Sequence, residues 1–389
     1  MDGAKFAKML SDKHLFELDR MEYKYSISSV KEFTELLRQN FTKPLPLADF
    51  SGDELFYLPN LAQISTHGMK QLLSVPASNQ SFGLQAMTEE IHATFQIESI
   101  HFSRNSIRHI LNGYAPRNEE ESRIYGMKRG LDFIADRQNT ITEENLHQLY
   151  QISTGDYLPD EDRLLPDHFY RHDHVYVVGG EENREGLPAQ QLPDAMKRLV
   201  DFANAKDSIN ELHKAAVLHF AFAYYHPYFD GNGRTARLLH LWYLVQQGYP
   251  AALFTPFSRY IAESKAAYYK AYDRVEKNTL ISGYTDVTPF LSYFCTEGYN
   301  RLQVDAAPSQ VDFQVYQTAI AEGKITEKER LLWEYVLSAY GTEEFTTKQL
   351  EKDFCQAAYA TIRKFVMKFH EMGLLAIRKA GNRVYYKIR

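Results

Sequence analysis

Apolar residues recur at helical spacing along most of the chain. Met87, Ile91, Phe95, Ile97 and Ile100 predict a helix over 84–110, and two more are predicted over 123–135 and 141–152, the second opened by Thr142 as N-cap with Glu144 in its first turn. Residues 1–75 read as short helices with a proline-bearing loop at 43–46. Between 158 and 193 the pattern changes: Pro, Gly and Asp become frequent, and His174-Val-Tyr-Val-Val178 has strand propensity before Gly179 and Gly180. A β-hairpin within an otherwise helical region is the expectation. Helices resume over 195–203 and 211–225, and the run from Ala215 to Tyr225 is apolar nearly all round, as in a central, buried helix. After a loop, another apolar helix is predicted over about 234–247, stopped by Gly248 and Pro250, and helices over 260–277 and 288–302 follow. Residues 303–324 read as a linker. Beyond it the pattern gives helices over 329–340, 347–354 (capped by Thr346) and 357–372, then strand-like runs 374–378 and 383–388 around the turn Lys379-Ala-Gly-Asn382.

A chain of 389 residues, 44% hydrophobic and 24% charged, is globular and too long for one ordinary domain. The expected division is 1–79, 80–302, 303–324 and 325–389, with a mainly α fold. Aromatics reach 14%, which suggests aromatic-rich cores and ligand or peptide surfaces. There is no apolar run of the ~18 residues that cross a bilayer. The charged start, without an apolar stretch, does not read as a secretion signal. The two cysteines, Cys295 and Cys355, are far apart, which excludes a disulfide framework or a Cys-based zinc site. A soluble cytoplasmic protein with no membrane partner is the expectation. The net charge of −6 divides unevenly: 325–389 holds 12 basic and 8 acidic residues, a net of +4, against −10 for the rest. Three helices followed by a two-stranded wing resemble a winged-helix domain. Its basic residues Arg363, Lys364, Lys368, Arg378, Lys379 and Arg383 permit phosphate-backbone contacts with DNA; a protein partner, or packing on its own chain, is the alternative.

The densest chemistry lies in His226-Pro-Tyr-Phe-Asp-Gly-Asn-Gly-Arg-Thr-Ala-Arg237. Pro227 disfavours helical geometry at His226, so the central helix ends there with the ring free to point outward. Gly231 and Gly233 let backbone N–H groups converge, and the next helix directs its positive end to the same spot. Arg234 and Arg237 lie three apart, on one side of that helix. The result is an anion cradle with a base and a carboxylate beside it, suited to a phosphate chain and a divalent cation held by Asp230. An EF-hand fits poorly, since its fifth and twelfth positions would be Arg234 and Leu241. The Gly231-x-Gly233-x-x-Ala236 pattern follows a helix, not a strand, which argues against a dinucleotide fold.

The whole motif resembles that of the Fic family (filamentation induced by cyclic AMP), H-x-F-x-[DE]-G-N-G-R-x-x-R, matching at His226, Asp230, Gly231, Asn232, Gly233, Arg234 and Arg237, with Tyr228 in place of Phe. The resemblance extends over about 80–300. It implies a Fic-type helical bundle and transfer of AMP from ATP to a Ser, Thr or Tyr hydroxyl of a protein, the chain itself among the candidate targets. In that scheme His226 is the base, Asp230 holds Mg²⁺, and Gly231, Asn232, Gly233 and Arg234 stabilise the phosphates. Thr94-Phe-Gln-Ile-Glu-Ser99 is similar to the family's inhibitory-helix motif, with Ser99 where Gly or Asn is usual; Glu98 would pair with Arg237, for which a γ-phosphate would compete. The 168–188 hairpin resembles the family's flap, in which Val175, Tyr176, Val177 and Val178 would receive a target segment. A metal cluster of His168, His172 and His174 is the alternative there. Tyr268 and Tyr269 resemble a tyrosine pair near adenine, with Tyr269 at the nucleotide; a plain core pair is the alternative. Removal of AMP, with Glu98 positioning water, and nucleotide sensing by a DNA-binding regulator are competing readings. Homodimers are common among proteins the chain resembles.

Overall fold

The structure, a computed structural model, describes residues 1–73, 83–177, 184–302, 313–340, 344–354, 356–381 and 383–389. At the start, α1 (Gly3–Leu10), α2 (Leu18–Tyr25) and α3 (Ile27–Phe41) bury Met9, Met21, Val30 and Phe33 together. The next segment departs from the predicted loop: Lys43–Ala48 is strand β1, paired antiparallel with β2 (Glu54–Tyr57). Leu45 and Leu47 are buried while Pro44 and Pro46 are exposed, a period-two alternation in a two-stranded sheet where a missing N–H is tolerated.

After α4 (Thr66–Leu73), the predicted helix over 84–110 is two, α5 (Leu84–Ile97) and α6 (Arg104–Leu111). The break falls at Ser99, which takes a φ of 61°, and Ser103 caps the second helix. Next come α7 (Glu119–Ala135) and α8 (Glu143–Ser153), the latter capped by Thr142 as predicted. The hairpin is β3 (Tyr176–Val177) against β4 (Arg184–Glu185); Val178 lies outside the described residues. Then follow α9 (Leu192–Asn204), α10 (Glu211–Tyr225), α11 (Asn232–Gln246), α12 (Phe257–Glu263), α13 (Lys265–Ser282) and α14 (Thr288–Tyr293). The centre of this part is α10 packed on α11, both buried nearly all round, within one core that reaches from β1 to Leu302. A fixed pair of helices at the centre gives the loop between them a rigid mount.

The last part has its own core of Leu332, Trp333, Val336, Ile362, Phe365 and Phe369. It is built from α15 (Phe313–Ala321), α16 (Glu327–Ala339), α17 (Thr347–Phe354) and α18 (Tyr359–Glu371), followed by the antiparallel pair β5 (Leu375–Ala380) and β6 (Arg383–Ile388). The stretch predicted as a linker therefore contains a helix, α15, whose Tyr316 joins this core; 303–312 lie outside the described residues. Two of the cations assigned to DNA are engaged within the chain: Lys368 Nζ reaches Glu329 Oε2 at 2.7 Å and Arg378 Nε donates to Glu344 Oε1 at 2.7 Å. Among the described residues no helix is long and apolar enough to cross a membrane.

Candidate active site

The site grows from the end of α10. Pro227 stops the helix, and His226 caps it in the left-handed region, φ 56° and ψ 61°. Its Nδ1 lies 3.3 Å from the Ala223 carbonyl oxygen. A carbonyl only accepts, so this contact puts the neutral ring's proton on Nδ1 and leaves Nε2 as the proton acceptor. Burial, followed by the positive charge of Arg184 and then of Arg171, lowers the His226 pKa to about 4. The ring is thus neutral at physiological pH.

The loop after it is held by its own polar groups. Asn232 accepts from Tyr228 N at 2.9 Å and donates to Tyr228 O at 2.8 Å, so its buried side chain braces the turn, and its contribution to the cleft is its backbone N–H. Gly231, with φ 79°, precedes α11, and a side chain there would collide with Thr154. The first N–H groups of α11 have no helical partner, as at any helix start, and Asn232 and Gly233, which carry two of them, line the cleft. Asp230, half exposed, accepts from Gly231 N at 2.6 Å and from Arg234 Nη2 at 2.8 Å.

Both arginines of the motif meet a carboxylate from another helix. Glu98, at the C-cap of α5, places Oε1 2.5 Å from Arg237 Nη2 and Oε2 2.7 Å from Arg234 Nε. Arg237 also donates Nε to Thr94 Oγ1 at 2.6 Å and Nη2 to the Thr94 carbonyl at 3.1 Å. The Glu98–Arg237 contact matches the sequence expectation; the second one, to Arg234, does not follow from it. Burial works against the Arg234 charge, but Glu98 and Asp230 more than offset it and hold its pKa above the ordinary range. A side chain on Gly233 would crowd Glu98 Oε1 at 3.0 Å and Arg237 Nη1 at 3.1 Å.

A cleft of about 340 Å³ joins these groups; Glu98, Tyr176, Arg184, His226, Asp230 and Tyr269 are among its walls. Val177 lines it too, while Val175 lies just before β3 and accepts from Gly186 N at 3.0 Å. Of the tyrosine pair, Tyr268 turns to the core, its hydroxyl 2.8 Å from His219 Nε2, and Tyr269 is the less buried, its hydroxyl 3.5 Å from the Ile97 carbonyl. His168, His172 and His174 do not assemble: among the described residues no group of three His, Cys, Asp or Glu is placed to hold a metal ion. Tyr228 is fully buried and stacks on Tyr150 with ring centroids 3.5 Å apart, but its hydroxyl finds no hydrogen-bond partner among the described residues. Sequence reasoning also missed Arg171 and Arg184, which flank His226; Arg171 reaches the His226 carbonyl and Arg184 the Glu276 carboxylate, both remote in sequence, so spacing carries no signal of them.

Residues 140–244 match the model of the Fic/DOC family. The protein adenylyltransferase Fic of Culex quinquefasciatus is 27% identical over 187 residues, which are 46% of this chain and 33% of that protein. The protein adenylyltransferase fic-1 of Caenorhabditis elegans is 29% identical over 191 residues, 47% of this chain and 33% of that protein. The chain thus matches about a third of the length of these curated relatives. Among solved structures, a Fic family protein from Desulfovibrio desulfuricans G20 aligns at 17% identity and a TM-score of 0.48, covering 78% of this chain and 86% of that one. The stretch that carries α8, the hairpin, α9, α10 and nearly all of α11 is a Fic/DOC family domain.

Proposed function

We propose that the chain is a protein adenylyltransferase held in check by Glu98. The observation that carries this reading is the pairing of both motif arginines with one internal carboxylate at the mouth of a cleft that also holds a neutral histidine. Glu98 occupies the groups that phosphate oxygens would use.

With ATP in the cleft, the hydroxyl oxygen of a target residue forms a bond to the α-phosphorus as the bond to pyrophosphate breaks. His226 Nε2 accepts the hydroxyl proton. The N–H groups at the start of α11, with Arg234, stabilise charge on the α-phosphate and on the leaving pyrophosphate. Tyr269 borders the nucleotide and Arg237, when Glu98 withdraws, the γ-phosphate. The hairpin edge at Tyr176 and Val177 holds the target segment by strand addition, with Val175 and Val178 flanking it. Asp230, a single half-exposed carboxylate on the cleft, fits a magnesium ion that arrives with the nucleotide and keeps water and phosphate ligands. Bound there, the ion would offset phosphate charge. A cytoplasmic setting, with ATP and Mg²⁺ at hand, suits this reading. Because Glu98 is tied to two arginines, inhibition accounts for its placement more directly than a role in positioning water for AMP removal.

The test is incubation with labelled ATP and Mg²⁺, reading label on the chain itself and on lysate proteins. Glu98→Gly is expected to raise labelling at least tenfold, and His226→Ala in that background to abolish it with the fold intact. Retained labelling in the double variant would refute the base role, and an unchanged rate in Glu98→Gly would refute the inhibition.

A further inference from the structure

Arg171 is buried, 2% exposed, and its guanidinium meets carbonyls where a carboxylate would be usual. Nε donates to the His226 carbonyl at 2.8 Å, Nη1 to the Asp173 carbonyl at 2.6 Å, and Nη2 to the Leu187 carbonyl. Its own backbone N–H donates to Pro227 O at 2.9 Å. Asp173 and Leu187 stand at the roots of the two hairpin arms, so one planar group joins both arms to the backbone of the histidine. Each of the three guanidinium nitrogens serves a different carbonyl, a fixed planar spread that the single nitrogen of an ammonium does not reproduce.

The neighbouring backbone closes the same knot. Leu187 N donates to Tyr225 O at 3.1 Å and Gly186 N to Val175 O at 3.0 Å. A Cβ on Gly186 would lie 2.7 Å from Arg171 Nη2 and 3.2 Å from His226 Cβ, so the returning arm passes this close because residue 186 has no side chain. His226 itself is in the left-handed region, which a non-glycine residue keeps only where its surroundings hold it. Burial draws the Arg171 pKa below the ordinary guanidinium value, a cost that packing alone could have avoided with an apolar side chain.

We propose that Arg171 is a positioning residue that couples the target-docking hairpin to the His226 base. This rests on the adenylyltransferase reading above. Arg171 touches no reactant. It fixes where His226 Nε2 sits relative to the hydroxyl that the hairpin presents, and the nucleotide cradle on α11 is built without it.

The experiment compares Arg171→Lys with its parent, both carrying Glu98→Gly. Labelling should fall about tenfold to hundredfold in kcat. Equilibrium ATP binding should stay within about twofold, because the cradle groups are untouched. Amide hydrogen exchange over 173–177 and 184–187 should rise. Gly186→Ala, which keeps the arginine but displaces it, should give the same pattern and covers the case in which Arg171→Lys does not fold. Unchanged kcat, or a loss of ATP binding in proportion to kcat, would overturn the proposal. If the Glu98→Gly parent labels nothing, the adenylyltransferase reading has failed by itself. The exchange comparison still decides: faster hairpin exchange supports the coupling, and unchanged exchange overturns it.

Discussion

Tyr228 shows how a single atom can be out of place in a well-packed site. Its ring stacks on Tyr150 and fills the core beneath the motif loop, work that a phenyl ring does equally well. Its hydroxyl, fully buried, makes no hydrogen bond among the described residues. Leaving a buried hydroxyl unpaired costs ~1 kcal/mol or more, so removing it should be favourable. Tyr228→Phe is expected to raise the melting temperature by about 2–4 °C. The ring is not among the walls of the cleft, so labelling should be unchanged. A lower melting temperature would mean that the hydroxyl has a partner after all, such as an ordered water. Ser99 is the complementary case: it takes a positive φ, a conformation glycine adopts freely, directly after the carboxylate that holds both arginines.

At the scale of elements, the α10–α11 pair is both scaffold and titratable core. Three histidines within it are buried, His213, His219 and His240, and a fourth, His226, caps α10 half-buried. Burial drives His240 from its ordinary 6.5 to about 3. A group whose folded pKa is depressed binds its proton first in the unfolded chain, so its contribution is fully present above pH 6.5 and is lost as the pH falls toward 3. Between pH 7 and 5 that loss is about 2 kcal/mol for one such histidine. Asp286, pushed up to about 6 by burial, works in the opposite direction below pH 6, so the total slope mixes signs. The difference between wild type and His240→Phe isolates the term. By urea unfolding, the variant should lose about 2 kcal/mol less than wild type between pH 7 and 5. Equal slopes would show that His240 titrates normally in the folded state. This pair was also the most legible part of the chain. Its apolar run and Pro227 after it mark α10, and the motif loop is contiguous, so its glycines and charges could be read together. β1 was hidden because Pro44 and Pro46 read as a loop, although they occupy only the exposed positions of an alternating strand. The break between α5 and α6 was hidden because nothing in a serine announces a positive φ. Arg171 could not be found because its acceptors are backbone carbonyls, and one lies 55 residues away in sequence.

Across the whole molecule, the helix that carries Glu98 is supported by two other parts of the chain. On one side α5 packs on α12, and its buried Glu90 accepts from Ser258 N at 2.9 Å. On the other side α16 packs on α5, and the join continues through Asp353 at the end of α17. The Asp353 carboxylate accepts from Tyr340 at 2.9 Å and lies 3.8 Å from Arg108 Nη1, while its carbonyl accepts from Asn112 Nδ2 at 3.0 Å. The C-terminal part therefore braces the helix pair that presents Glu98, and weakening the brace should loosen its hold on Arg234 and Arg237. Asp353→Ala is expected to raise basal labelling about two- to fivefold, the equivalent of ~1 kcal/mol taken from the inhibited state. The same substitution in a Glu98→Gly background should add nothing, because the effect runs through a carboxylate that is no longer there. If Asp353→Ala raised labelling equally in both backgrounds, the C-terminal part would be acting on the cleft by another route, and the link from α17 through α5 to the arginines would be broken.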